Sequence, residues 1–256
     1  MAKVKTLILR APGTNCDGET AFALEQAGSA VDSAHINQLV RRDKLITDYQ
    51  ILVIPGGFTY GDDVSGGIIL ANELKLKLGG DIHRFIERGG LILGICNGFQ
   101  VLVKAGILPP VEDGQRQQLT LAGNGSNRFE CRWVYLQIKK ESPCIFTKGI
   151  DAMYLPVAHG EGRVMAEKET LAKLNVVLRY ANDKGDIKAG YPHNPNGSAD
   201  NIAGICDQSG RIFALMPHPE RFIRWNQHPR WTREKPRQHG DGLAIFRNAV
   251  DWVKRS

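Results

Sequence analysis

The chain has 256 residues, 42% of them hydrophobic and 23% charged, which is ordinary for a globular protein and enough to bury a large core. Its formal net charge of +6 is compatible with acidic metabolites or nucleic acid as partners and chooses neither. No run reaches the roughly 18 apolar residues of a membrane-spanning helix, and the first apolar run is too short for a signal peptide.

In chain order, Val4–Arg10 reads as an apolar strand, followed by a helix from about Gly18 to Ala27 that Gly28 stops. Val31–Ile36 and Gln50–Pro55 read as the second and third strands. A long amphipathic helix from about Ile69 to Arg88 ends at Gly89-Gly90. Leu91–Ile95 is the fourth strand and leads into a helix over Gly98–Lys104. Apolar strands separated by helices indicate a parallel sheet covered on both faces. Beyond Pro109-Pro110 the pattern changes to strand-like runs, Glu130–Lys139 and Met153–Ala158 among them. A hairpin-like stretch then spans Asn201–Met216, with its turn at Gln208-Ser209-Gly210, and a last helix covers about Gly242–Lys254. The expected class is α/β: a mostly parallel, doubly wound sheet with a mixed or antiparallel extension, in one domain over residues 1–256.

The five cysteines are Cys16, Cys96, Cys131, Cys144 and Cys206, with no Cys-x-x-Cys spacing. They read as reduced thiols of a cytoplasmic protein. The Asn-x-Ser matches at Asn124 and Asn196 are then chance matches.

The sharpest feature is Gly94-Ile95-Cys96-Asn97-Gly98, between a buried strand and a helix. A tight strand-to-helix turn has room only for small neighbours, and the hydrolase elbow uses the same arrangement around serine. Here Cys96 takes the nucleophile position at the carboxyl edge of the sheet, where open α/β sheets bind ligands. A cysteine nucleophile needs a base, and the base an orienting partner. His218 and Glu220 in Met216-Pro217-His218-Pro219-Glu220-Arg221 supply both, because the two prolines hold the segment extended and the spacing of two puts both side chains on one side. An oxyanion on an amide substrate needs backbone donors. Asn97 N–H follows the nucleophile, and the Pro55-Gly56-Gly57-Phe58 turn at the same edge offers a second at Gly57. A phosphate loop is disfavoured, because Gly61-Asp62-Asp63 stands where Gly-Lys-Ser/Thr would.

The strings Pro55-Gly56-Gly57, Gly94-Ile95-Cys96-Asn97-Gly98-Phe99-Gln100 and His218-Pro219-Glu220 together resemble the triad-type (class I) glutamine amidotransferases. Ala11–Asp17, Gly56–Asp63, Asn127-Arg128-Phe129 and His159-Gly160-Glu161-Gly162 narrow the likeness to the glutaminase subunits of phosphoribosylformylglycinamidine synthase, over nearly the whole chain. The resemblance implies a flavodoxin-like fold of the glutamine amidotransferase type and a Cys96–His218–Glu220 triad that releases ammonia from L-glutamine. It also implies that Gln100, Arg128 and Phe129 help hold that glutamine, and that His159–Gly162 lines the site or the interface with a synthetase. The implied partners are an ATP- and magnesium-using synthetase subunit, which would make formylglycinamidine ribonucleotide in purine biosynthesis, and a small accessory subunit. No cofactor or metal of its own, no nucleic acid and no membrane are implied for this chain. Cys16, with no base beside it in sequence, reads as a packing or interface residue.

Two stretches lengthen the chain relative to shorter members: an insertion around Glu112–Gln118 and the basic tail Arg224–Gly240, which carries Trp225 and Trp231. Tryptophans flanked by arginines suit docking or packing better than a nucleic-acid strip. The rival readings are another amidotransferase's glutaminase, a cysteine hydrolase of the same fold, and a silent binding module. An intact set of three catalytic residue types argues against the last.

Overall fold

The computed structural model describes residues 3–111 and 117–256; most of the insertion around Glu112–Gln118 therefore lies outside the described residues. One nine-stranded sheet carries the fold, in the order β2-β1-β3-β4-β11-β10-β9-β6-β7. The strands are β1 (Lys5–Arg10), β2 (Ala30–His35), β3 (Ile51–Ile54), β4 (Leu91–Ile95), β5 (Leu119–Gly123), β6 (Glu130–Ile138), β7 (Ala152–His159), β8 (Glu161–Ala166), β9 (Asn175–Ala181), β10 (Ile202–Cys206) and β11 (Ile212–Leu215). β2, β1, β3, β4 and β11 pair in parallel. From β10 outward the pairing is antiparallel, through β9 and β6 to β7. β5 and β8 form a separate antiparallel pair. The expected class, a largely parallel α/β sheet with an antiparallel extension, is the one observed.

The helices are α1 (Asp17–Gln26), α2 (Ile36–Val40), α3 (Ile68–Glu87), α4 (Asn97–Lys104), α5 (Lys168–Lys173) and α6 (Leu243–Arg255). α1 packs with α6 and α3 with α4, in keeping with a parallel sheet covered on both faces. Every residue of β3, β4, β10 and β11 is buried, whereas β7 alternates buried and half-buried positions. That difference is why the first half of the sequence shows apolar runs and the second half alternation. Among the described residues no helix is long and apolar enough to cross a membrane.

Helix stops follow the glycines. At the end of α1, Gly28 takes φ 93°, donating to Glu25 O while Ser29 donates to Leu24 O. That left-handed closure suits glycine best, because it has no Cβ to clash. Gly89 and Gly90 close α3 in the same way. The hairpin expected over Asn201–Met216 is β10–β11, closed at Asp207–Gly210.

One strand end is corrected and one strand is added. The second strand stops at His35, whose Nδ1 accepts from Asn37 N–H (3.2 Å) while Gln38 Oε1 accepts from His35 N–H (2.9 Å); this capping box starts α2, so Ile36 is helical. β9, unassigned by pattern, lies fully inside the sheet between β10 and β6. The tail packs as well: Trp225 stacks on His228 at 4.8 Å, within an aromatic cluster that includes Trp133, Tyr154 and Phe222. Trp231 remains 48% exposed. Asn124 and Asn196 are buried and hydrogen-bonded, in line with reading their Asn-x-Ser matches as chance.

Candidate active site

Cys96 stands between β4 and α4 with φ 50° and ψ −104°. A non-glycine residue held there carries about 1–3 kcal/mol of backbone strain, and its surroundings enforce it. Its N–H donates to Leu215 O at 2.8 Å, which ties the elbow to the end of β11. A Cβ on Gly98 would lie 1.9 Å from Ile54 O, and one on Gly94 would lie 2.9 Å from Gly98 O. Both glycines are therefore required sterically: α4 approaches β3 and β4 at backbone contact. The side chain is 5% exposed, and its thiol donates to Ala158 O at 3.8 Å.

The β11 end delivers the base. His218 N–H donates to Pro156 O (2.8 Å), fixing its backbone against β7. Its Nδ1 donates to Glu220 Oε1 at 2.6 Å, with side-chain exposures of 2% and 0%. Burial alone would lower the pKa of His218, but the adjoining Glu220 carboxylate, then the Cys96 and Cys16 sulfurs, raise it well above the ordinary value. The imidazolium is thus the favoured form, and its Nε2 has no hydrogen-bond partner among the described residues. His218, Glu220 and the Cys96 elbow are brought together as the spacing suggested.

Cys16 lies against the base segment. It is 1% exposed, and its sulfur lies 4.0 Å from His218 Nδ1 while accepting from Arg221 Nη2 at 3.1 Å. Ligand atoms of Cys16, His218 and Glu220 lie within 4.8 Å of one another. A divalent cation there would have to break the His218–Glu220 hydrogen bond and face the Arg221 guanidinium, so these residues suit proton transfer better than metal binding.

The turn carrying Gly57 sits against the same residues. A Cβ on Gly56 would meet His218 Cε1 at 2.8 Å. Gly56 O accepts from Cys16 N–H (3.2 Å) and Gly13 O from Phe58 N–H (3.0 Å). Because a trans peptide points its N–H opposite its carbonyl, Gly57 N–H is directed away from residue 16. Asn97 N–H belongs to the first turn of α4, where the helix provides no acceptor. Both backbone donors keep the availability that an oxyanion site needs.

The Asn97 side chain has a role the sequence did not disclose. Its Oδ1 accepts from Thr59 Oγ1 (2.7 Å), and its Nδ2 donates to Asp62 Oδ1 (3.0 Å) and Gln100 Oε1 (2.7 Å). Gln100 Nε2 donates to Glu161 O (2.6 Å). Gln100 is 3% exposed, and one hydrogen bond at each end of its amide braces the elbow against β8. Lys104 Nζ donates to Glu161 Oε1 (2.8 Å) and also to Ser65 Oγ and Gly66 O. This network joins α4, the turn after Gly57 and the His159–Gly162 string. Phe129, 53% exposed, faces Phe58 with ring centroids 6.3 Å apart, beside the Gly56-Gly57 turn. Arg128 is exposed and lines a cavity of about 470 Å³ with Tyr191 and Asn194. None of Cys96, His218 and Glu220 is among that cavity's lining residues.

Residues 3–253 match the model of the CobB/CobQ-like glutamine amidotransferase domain. The chain is 57% identical, over the full length of both chains, to phosphoribosylformylglycinamidine synthase subunit PurQ of Dehalococcoides mccartyi. It is 43% identical to the protein of the same name from Methanococcus maripaludis, with 98% of each chain covered. Among solved structures, a chain of PurLQS from Thermotoga maritima superposes with a TM-score of 0.75 at 32% identity, covering 98% of this chain and 100% of that one. A glutamine amidotransferase from Thermotoga maritima, 16% identical with a TM-score of 0.58, shares the fold. The chain belongs to the class I glutamine amidotransferase family, in its PurQ branch.

Proposed function

We propose that this chain is the glutaminase subunit of phosphoribosylformylglycinamidine synthase, hydrolysing L-glutamine and passing ammonia to a separate synthetase subunit. The observation that carries the reading is 57% identity to a PurQ subunit without a gap in coverage at either end. The buried His218–Glu220 pair beside the Cys96 elbow supplies the chemistry. In this reading Cys96 sulfur attacks the side-chain amide carbon of glutamine. Gly57 and Asn97 N–H groups receive the developing oxyanion, and His218 protonates the departing nitrogen. Water then hydrolyses the glutamyl thioester with His218 as base. Glu220 holds the imidazole in orientation and stabilises its cation. In this reading Gln100, Arg128 and Phe129 help hold the glutamine.

The PurLQS neighbour supports a large synthetase partner and a small third subunit. ATP and magnesium belong in this reading to the synthetase, which forms formylglycinamidine ribonucleotide in the cytoplasm; this chain contributes no cofactor site. The test is Cys96→Ala in the reconstituted complex. Amidine formation with glutamine should be abolished, whereas a high concentration of ammonium salt at a pH that supplies free ammonia should restore it. Loss with both nitrogen donors would make Cys96 structural, and retention with both would put the nucleophile elsewhere.

A further inference from the structure

Buried polar atoms rarely go without a hydrogen bond, and among the described residues two histidine ring nitrogens do: His218 Nε2 and His159 Nε2. The first awaits substrate in the mechanism above; the second is unaccounted for. Its chemical state follows from its neighbours. Asn124 Nδ2 donates to Arg128 O (2.9 Å) and to His159 O (2.8 Å), so the amide orientation is fixed and Asn124 Oδ1 is the atom 3.1 Å from His159 Nδ1. An amide oxygen only accepts. Nδ1 therefore carries the ring proton, and Nε2 presents a bare lone pair.

The ring stays neutral. Burial, and then the charge on nearby His218, lower its pKa to about 3. His159 ends β7, whose carbonyls serve the site in succession: Pro156 O accepts from His218 N–H and Ala158 O from the Cys96 thiol. The ring itself is wedged against β8 and the base segment. A Cβ on Gly162 would lie 2.7 Å from His159 Nδ1 and 2.9 Å from the tip of Met216, two residues before His218. A buried acceptor with one tautomer, no partner and this address is suited to a small donor molecule at the reaction centre.

We propose that His159 Nε2 is the acceptor for the small molecules that leave and enter during turnover, first ammonia and then the hydrolytic water. The inference rests on the glutaminase reading. In the first half-reaction Cys96, its thiol proton passed to His218, reacts as the thiolate: the carbon–sulfur bond forms and the carbon–nitrogen bond breaks as His218 Nε2 gives that proton to the nitrogen. The ammonia formed donates one N–H to His159 Nε2. With no proton at that nitrogen to give, His159 leaves ammonia uncharged, the form that reacts as a nucleophile in an amination. In the second half-reaction water takes the same position, donating one O–H to His159 and its other proton to the now neutral His218. Its oxygen bonds to the thioester carbon, the carbon–sulfur bond breaks, and the sulfur departs as thiolate beside the regenerated imidazolium. His159 exchanges no proton at any step.

The experiment compares His159→Leu, which removes the acceptor, with His159→Gln, which restores one, in the synthetase complex. Glutamine turnover is measured beside the rate at which a glutamine-like chloroketone alkylates Cys96, a reaction that releases no ammonia and consumes no water. The expected result is a loss of turnover of about tenfold or more in His159→Leu, the order expected for one hydrogen bond at the reacting group. Alkylation should stay within about twofold of wild type, and His159→Gln should recover part of the turnover. Unchanged turnover in His159→Leu, or alkylation falling in step with it, overturns the proposal. If His159→Leu does not fold, His159→Gln is read alone: turnover largely retained with alkylation unchanged is the expected result, and turnover and alkylation falling in step overturns the proposal. Failure of the chloroketone to label Cys96 in the wild type is distinguishable, because it refutes the glutaminase reading itself.

Discussion

Gly98→Ala is the smallest substitution that should dismantle the nucleophile elbow. The added methyl would lie 1.9 Å from Ile54 O and 2.8 Å from the Ile54 carbonyl carbon, well inside the usual contact distance of about 3.5 Å. No rotamer can relieve this, because both contacts are backbone: α4 must move off β3 by roughly 1–1.5 Å, taking Cys96 and the Asn97 N–H with it. Overpacking in a core costs about 1–3 kcal/mol, and a backbone clash lies at or beyond the upper end. For a chain of this length that corresponds to a melting temperature lower by on the order of 10 °C. Gly18→Ala is the control. It lies in α1, and its Cβ would meet nothing within 4 Å, so alanine should stabilise by about 0.5–1 kcal/mol through helix propensity and unfolded-state entropy. The assay is thermal unfolding of both variants, with glutamine hydrolysis measured below the transition. A Gly98→Ala protein melting within about 2 °C of wild type and fully active would refute the claim that the elbow is held by backbone contact.

Replacing Glu220 by Gln removes the charge that keeps His218 protonated against its burial. The alkaline limb of the turnover profile should therefore move toward acid; a stationary limb would count against Glu220 as the partner. Because the folded pKa of His218 is raised, its contribution to stability is complete below the unfolded value of about 6.5 and fades as pH rises through the folded value. The stability gap between wild type and Glu220→Gln should accordingly be widest on the acid side of that window and narrow above it, as denaturant titrations at several pH values would reveal. Lys104→Met leaves Glu161 without its cation in a largely buried network. It should cost about 1–3 kcal/mol and lower turnover by loosening the turn after Gly57. Adding Glu161→Gln should recover part of the stability, and a strictly additive double mutant would contradict the coupling.

The sequence alone carried the α/β class, the helix stops at Gly28 and Gly89, and the elbow, because each is a local rule. Apolar strand runs, glycine after a helix and Gly-x-Cys-x-Gly are all readable within a few residues. His218 and Glu220 were legible for the same reason, since two prolines leave an extended segment with both side chains on one side. What the sequence could not supply was pairing between distant segments. Cys16 lies 4.0 Å from His218 Nδ1 across 202 residues of chain, Gln100 is engaged by Glu161, and the lone His159 becomes a one-tautomer acceptor only once Asn124 reaches it from the turn after β5. Hydrogen bonds of that kind depend on where the sheet order β4-β11-β10-β9-β6-β7 delivers strand ends. That order is set by the burial of whole faces rather than by any neighbour in sequence.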